Sequence, residues 1–285
     1  MEFPAVLVLG ATGRIGRVLQ LCWQANNVRW QARRRVVRPV PGWIICDPLT
    51  DPGGLARAAQ GCDTILNLAG AIPGRGGDLR DNTALAEAAI RAGAVAGARV
   101  VSLSSAAVYG AGPGPLREDH PLGPMTPYGR AKADMERRSA ALAHDLGVAL
   151  CTLRIGNVAG LDAILGGWQP GFELDICPDG RSPRRSYIGV GDLAHVLAAL
   201  CAAPVLPPML NVAAPGMVEM GALLTAAGLA WTPRPASATI ITEVRLDVTA
   251  LERLVPLPPE MADVGRMIAQ WRALAPQMQE EGGPT

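Results

Sequence analysis

Gly10-Ala11-Thr12-Gly13-Arg14-Ile15-Gly16 directly follows a short apolar run at residues 5–9 and opens a helix-compatible segment at residues 14–24. Glycines at this spacing let the backbone turn tightly and come close to a pyrophosphate, which the N-terminus of the following helix attracts. Alone, such a pattern is weak. Between a strand and a helix at the head of an alternating chain it is specific. The stretch predicts a dinucleotide cradle in which Gly10, Thr12, Gly13, Arg14, Ile15 and Gly16 meet the cofactor.

Outward from that turn, short apolar runs alternate with longer helix-compatible segments, the pattern of a parallel sheet with crossover helices. Strands are expected at residues 5–9, 28–32, 43–46, 64–68, 99–103 and 148–153, with a late one near 209–212. Helices are expected at about 14–24, 54–60, 82–92 and 127–146. Beyond Leu153 the pattern loosens, and residues 160–184 are rich in glycine, proline and aromatics, as a substrate-covering segment would be. A helix at 192–201 leads back to the sheet, residues 215–235 and a helical 259–275 form a smaller C-terminal part, and 279–285 read as a frayed tail. The expected fold is α/β: a Rossmann-type doubly wound parallel sheet over residues 1–156, then a mainly substrate-binding part over 157–285. Segments near 186–213 return to the sheet.

Composition excludes several classes of function. At 285 residues the chain is long enough for a full core, and 49% hydrophobic against 18% charged residues reads as globular. A formal net charge of +1 gives no electrostatic case for nucleic acid or an anionic membrane. No apolar run reaches the roughly 18–20 residues of a membrane helix. Met1-Glu2-Phe3-Pro4 lacks the basic region of a signal peptide, so a cytoplasmic location is expected. Cys22, Cys46, Cys62, Cys151, Cys177 and Cys201 are too scattered for a disulfide framework or a zinc site and read as buried small hydrophobes. His120, His144 and His195 are equally dispersed, and no metal site is expected.

Lys132 is the only lysine, although lysine and arginine together number 26. It lies four residues after Tyr128, in Tyr128-Gly129-Arg130-Ala131-Lys132, and residues at that offset share a helix face. Lysine is a compact point charge, whereas arginine is a planar fork, so the two do not substitute for one another. The pair suits an enzyme that needs a tyrosinate near neutral pH. A free phenol titrates near pH 10, and a neighbouring ammonium together with an oxidised nicotinamide ring would favour its ionised form. For the cofactor itself, NAD-preferring folds place an acid at the end of the second strand to hold the ribose hydroxyls. Here that strand runs into Ala32-Arg33-Arg34-Arg35. Arg33 and Arg34 suit a 2′-phosphate, so NADP is expected ahead of NAD.

These residues resemble the extended short-chain dehydrogenases/reductases, in particular the NAD(P)-dependent sugar-nucleotide epimerase/dehydratase group, over nearly the whole chain. Cys46-Asp47-Pro48 looks like the acidic position that contacts adenine, which implies Asp47 and Pro48 in cofactor binding. The run from Gly61 to Gly70 resembles the fourth strand with its small-residue turn under the cofactor, implying Leu68, Ala69 and Gly70. Asn82 stands where the group has an asparagine opening the next helix. Ser102-Leu103-Ser104-Ser105-Ala106-Ala107-Val108-Tyr109-Gly110 resembles the serine-rich strand end. By that likeness Ser105 is the catalytic hydroxyl and Ser104 supports the strand. Tyr128 and Lys132 match the group's catalytic pair, with Lys132 also gripping the nicotinamide ribose.

On the substrate side, the likeness of the segment Arg154–Gly160 implies that Asn157 touches substrate. The segment Arg185–Ala194 implies that Arg185 binds a nucleotide diphosphate, although Arg181 and Arg184 could do the same work. Dehydratases of the group carry an Asp-Glu pair where this chain has Ala106 and Ala107, which argues against 4,6-dehydration. Three readings follow. The first is an NADP-dependent epimerase or reductase of a nucleotide sugar or related carbohydrate. The second is a dehydrogenase of a free sugar acid or small carbonyl, and the third a non-catalytic NADP-binding sensor or assembly protein. The resemblance also implies a homodimer packed through the helices at 82–92 and 127–146, whose exposed faces would carry alanines, Met135 and Leu142.

Overall fold

The computed structural model describes residues 3–23, 26–34, 36, 41–74, 77–112 and 114–280, the side chains of 278–280 excepted. Gln24, Arg35 and most of the expected tail lie outside the described residues. Six strands come first: β1 (Val6–Leu9), β2 (Val28–Ala32), β3 (Trp43–Ile45), β4 (Thr64–Asn67), β5 (Arg99–Ser105) and β6 (Leu150–Ile155). Short strands follow: β7 (Asn157–Val158), β8 (Glu173–Ile176), β9 (Arg184–Arg185) and β10 (Tyr187–Ile188). The last are β11 (Met209–Val212), β12 (Val218–Glu219), β13 (Thr232–Pro235) and β14 (Glu243–Val244). Seven strands form one sheet in the order β3-β2-β1-β4-β5-β6-β11, every neighbouring pair parallel. Order reverses between β1 and β4, which opens a crevice at their carboxyl ends.

Helices α1 (Arg14–Cys22), α2 (Pro52–Ala59), α3 (Asp81–Ala96), α4 (Pro127–Asp145) and α5 (Val190–Ala202) cover the sheet. Helices α6 (Met220–Ala226), α7 (Thr249–Glu252) and α8 (Val264–Glu280) complete the chain. The four residues of β1 are wholly buried because a parallel strand is covered on both faces. Alternation divides them: Val6 and Val8 pack with Val18, Leu19, Leu193, Met267 and Ile268 of α1, α5 and α8. Leu7 and Leu9 pack with Leu55, Ile90 and Ala143 of α2, α3 and α4. Helix α4 starts cleanly: Thr126 accepts a bond from Gly129 N, and Pro127 occupies the first turn.

Several boundaries depart from the sequence reading. β5 continues to Ser105, and β6 begins at Leu150 and continues to Ile155, because the two strands pair residue for residue to their ends. The helix expected at 259–275 is broken: Asp263 is extended (φ −67°, ψ 125°) after a single 3-10 turn, Pro259–Ala262. Its carboxylate then accepts Arg266 N at 2.7 Å and starts α8. Five cysteines are buried as expected, but Cys22 is exposed at the end of α1. Met135 is no surface residue either. It lies inside the fold at 1% exposure, beside Lys132, while Leu142 is half-buried against the core.

Candidate active site

The turn after β1 has no room for a side chain at Gly10 or Gly16. Gly10 has φ +73°, and a Cβ there would lie 2.8 Å from Ala69 Cα; one on Gly16 would lie 2.3 Å from Ala11 O. Gln31, which the sequence reading passed over, ties this turn to the sheet. Its Oε1 accepts Gly10 N at 2.9 Å and its Nε2 donates to Cys46 O at 2.6 Å. A glutamine in an otherwise buried strand was the signal. Thr12 and Gly13 are exposed, Ile15 is half-buried, and Gly13 caps α1 with no side chain. Arg14, first residue of α1, sends its guanidinium across the crevice, where Nη1 donates to the main-chain carbonyl of Leu161.

Opposite the turn lie Leu68, Ala69 and Gly70, with Leu68 N bonded to Leu9 O at 3.1 Å. Asn82 donates from Nδ2 to Ala71 O at 3.0 Å and Leu79 O at 2.9 Å. Its Oδ1 is buried and without a hydrogen-bond partner. A Cβ built on Gly70 would lie 2.6 Å from that oxygen and 3.4 Å from Lys132 Nζ, so both groups converge on this glycine. A glycine-rich turn at a helix N-terminus, together with an orphaned acceptor beside an ammonium, fits the phosphates and ribose hydroxyls of a dinucleotide. Arg33 and Arg34 are exposed just beyond β2. Half-buried Asp47 caps its own turn through Leu49 N at 2.9 Å, and Pro48 is buried.

Tyr128 and Lys132 share one face of α4, which is packed against the carboxyl end of β5. Ser105 accepts Ala107 N at 3.2 Å, so it caps the 3-10 turn Ala106–Val108. Burial pushes the Tyr128 phenol above its ordinary range, opposed by Ser105 and by the charge of Arg14. Lys132 was expected to supply that opposition. Its Nζ is instead bonded to Leu103 O at 2.9 Å, with Met135 Sδ at 3.7 Å.

Burial lowers the Lys132 ammonium to about 8, partly countered by Glu136, which still leaves it protonated at neutral pH. Between that value and its ordinary 10.5 the unfolded chain binds more protons than the folded one. The stability owed to Lys132 therefore rises with pH through this window, and its penalty is complete below about 8. Measured by urea denaturation, wild type should gain on Lys132→Met by roughly 2 kcal/mol between pH 8 and 10, at ~1.4 kcal/mol per unit. A pH-independent difference would show that the ammonium is not held at this depressed value.

Behind these groups lies a buried network. Glu136, one turn after Lys132, accepts Ser104 Oγ at 2.5 Å and pairs with Arg154 Nη2 at 2.8 Å. Arg154 also donates to Tyr109 Oη at 2.9 Å and to Glu118 O at 2.9 Å, and its guanidinium lies 4.7 Å from the centre of the Tyr109 ring. Tyr109 in turn bonds Asn211 Oδ1 of β11 at 2.7 Å. The carboxylate thus fixes Ser104, and with it the strand end that carries Ser105.

On the substrate side, Asn157 stands half-buried in β7, which pairs with β10. Of the three candidate arginines, Arg181 is exposed and Arg184 pairs with Glu243 at 3.1 Å. Half-buried Arg185 bonds only main-chain oxygens among the described residues, Arg184 O at 2.8 Å and Ile241 O at 2.6 Å. Burial pulls its pKa down. Asp162 holds the loop after β7: Oδ1 accepts Leu165 N at 3.0 Å, and Oδ2 bonds Tyr187 Oη at 2.6 Å. No helix among the described residues is long and apolar enough to cross a membrane.

Comparison with known proteins agrees with this architecture. The model of the NAD dependent epimerase/dehydratase family matches residues 6–213. A UDP-glucose 4-epimerase of Azospirillum brasilense is 40% identical over 155 residues, a match that covers 42% of this chain and 42% of that protein. The UDP-glucose-4-epimerase of Stenotrophomonas maltophila, solved with bound NAD and formylated UDP-arabinopyranose, superposes with a TM-score of 0.77 at 21% identity. That match covers 96% of this chain and 99% of the other. DesIV of Streptomyces venezuelae, a dTDP-glucose 4,6-dehydratase solved with NAD, gives a TM-score of 0.74 at 21% identity, over 97% and 99% of the two chains. At these identities the solved structures bear on the fold.

Proposed function

The chain belongs to the NAD dependent epimerase/dehydratase family, and on that premise we propose that it is an NAD(P)-dependent epimerase or reductase of a nucleotide sugar or related carbohydrate. The observation that supports this reading is that Lys132 Nζ and the orphaned Asn82 oxygen both lie against Gly70, while α4, which carries Tyr128 and Lys132, packs on the strand that ends at Ser105. Gly10, Gly13 and Gly16 would admit the cofactor's pyrophosphate, with Thr12, Arg14 and Ile15 around it. Leu68, Ala69 and Gly70 would lie beneath it. Asp47 and Pro48 would border the adenine, and Asn82 and Lys132 would hold a ribose. A bound NAD or NADP supplies reversible hydride acceptance.

Tyr128 would exchange the proton of the substrate hydroxyl, at an oxygen that Ser105 also hydrogen-bonds and whose developing charge it stabilises. Lys132 would keep positive charge near this centre. Arg185 would hold a phosphate, a role that the Glu243 pair makes harder for Arg184. Ala106 and Ala107 cannot move protons, which supports epimerisation or simple redox over 4,6-dehydration. The test is a panel of nucleotide sugars and free sugar acids with each cofactor, following reduced cofactor and sugar products. Turnover on nucleotide sugars supports the proposal, whereas turnover confined to free sugar acids, or tight cofactor binding with no turnover, defeats it.

The finer cofactor reading is NADP, because β2 ends without an acid and Arg33 and Arg34 follow it in the open. Equilibrium binding should show NADP bound more tightly than NAD. Replacing both arginines by alanine should weaken NADP roughly tenfold, about one charge-assisted contact, and leave NAD nearly unchanged. Tighter binding of NAD by the unaltered protein would overturn the assignment.

A further inference from the structure

We infer that Trp271 of α8 is a positioning residue for the cofactor cradle, acting through Gly160 and Leu161 on Arg14. The inference rests on the reading of the glycine turn as that cradle and adds to it a grip from the C-terminal helix. α8 lies outside residues 6–213 that match the family model. Three consecutive residues of the loop after β7 are each fastened to a different element. Gly160 has φ +88°, and a Cβ there would lie 2.1 Å from Cδ1 of the Trp271 indole. The Leu161 carbonyl accepts Nη1 of Arg14, the first residue of α1. Asp162 accepts Leu165 N at 3.0 Å and Gly166 N at 3.3 Å, and its Oδ2 bonds Tyr187 Oη of β10 at 2.6 Å.

α8 is itself fixed. Gln270 Oε1 accepts Gly191 N at 3.0 Å and Asp192 N at 3.2 Å, capping α5, whose Gly189 offers no side chain for the purpose. Arg266 pairs with Asp192 at 2.5 Å, and Met267 and Ile268 are buried in the core with Val6 and Val8 of β1. The residue after Gln270 is therefore held in place, and half-buried Trp271 presents its indole to Gly160. The loop closes tightly on itself, since a Cβ on Gly166 would lie 2.3 Å from Gly160 O. Trp271 thus backs the loop, and Leu161 O in turn holds the guanidinium that follows the glycine turn. Without the indole, Gly160 is free to leave its positive φ, which a glycine does at no steric cost, and Arg14 loses a fixed acceptor.

The test pairs two variants of α8 in the full-length protein. Trp271→Ala removes the contact with Gly160, whereas Met267→Ala truncates a core side chain on the same helix and leaves that contact in place. Both should lower the denaturation midpoint, so stability alone does not separate a positioning residue from a structural one. Hydrogen exchange at the Leu161, Leu165 and Gly166 amides reads the grip without any ligand. Trp271→Ala should speed it about tenfold, and Met267→Ala by less than about twofold. Stopped-flow release of NADH or NADPH reads the cradle: Trp271→Ala should release the nucleotide about tenfold faster and Met267→Ala at the wild-type rate. Trp271→Phe, which keeps a ring over Gly160, should stay within about threefold of wild type in both measurements. Unmoved amides in Trp271→Ala, or a release rate raised equally by both variants, overturns the inference. If Trp271→Ala fails to fold, Trp271→Leu is read by the same two measurements and the same outcomes. Failure of the unaltered protein to bind either nucleotide would sink the cradle reading, and the inference with it, whatever the amides show.

Discussion

Tyr128→Phe is expected to lower kcat by about 10²–10⁴-fold, the usual worth of a positioned proton carrier, with cofactor affinity nearly unchanged. The substitution removes one oxygen and keeps the ring, so the packing of α4 against β5 should persist. The Ser105 hydroxyl remains as a hydrogen-bond donor but cannot replace the phenol, since an alkyl hydroxyl is a far weaker acid than a phenol. Ser105→Ala should cost less, about 10²-fold, the loss of one donor to the charged oxygen. The measurement is steady-state turnover on whichever substrate the panel yields, with cofactor binding followed separately. Activity of Tyr128→Phe within tenfold of wild type would remove the phenol from the reaction.

The second large effect is on stability. Glu136 and Arg154 form an ion pair at 2.8 Å whose side chains are 4% and 5% exposed. Removing one member leaves the other buried and uncompensated, a loss of about 3–5 kcal/mol, whereas replacing both by apolar residues of similar volume is often close to neutral. Glu136→Met and Arg154→Met should therefore each lower the denaturation midpoint sharply, and the double variant should recover most of the loss. Glu136→Met should also slow turnover, because Ser104 loses its acceptor and the strand end carrying Ser105 loosens. Single variants each costing below ~1 kcal/mol would mean that the pair is no strut for this site.

Where local pattern governs the backbone, the sequence was readable. Val28–Ala32 and Met209–Val212 stand as strands at the expected positions, since short, mainly apolar segments in an alternating chain leave few alternatives. The ends of β5 and β6 were not readable. Ser104, Ser105 and Arg154 lie just beyond the expected strands, 99–103 and 148–153. They remain extended because the two strands pair to the end, and because Glu136 supplies Arg154 with a counter-charge from another element. Met135 was misplaced for a related reason. Lys132 and Met135 both turn inward, so α4 buries a face that charge alone would assign to solvent.

The sequence by itself determined the alternating architecture, the glycine turn, and the helical offset that brings Tyr128 and Lys132 to one face. Each follows from backbone sterics or from the period of a helix, which act over a few residues. Only the tertiary structure decided which charge meets which group. Arg14 crosses to Leu161, Glu136 reaches Arg154, and Lys132 turns to Leu103 and Gly70. Those neighbours come from strand order and register, which bring distant segments together at the same end of the sheet. The lone lysine stands on the helix that also carries Tyr128, and the fold turns its ammonium to Leu103 O and towards Gly70.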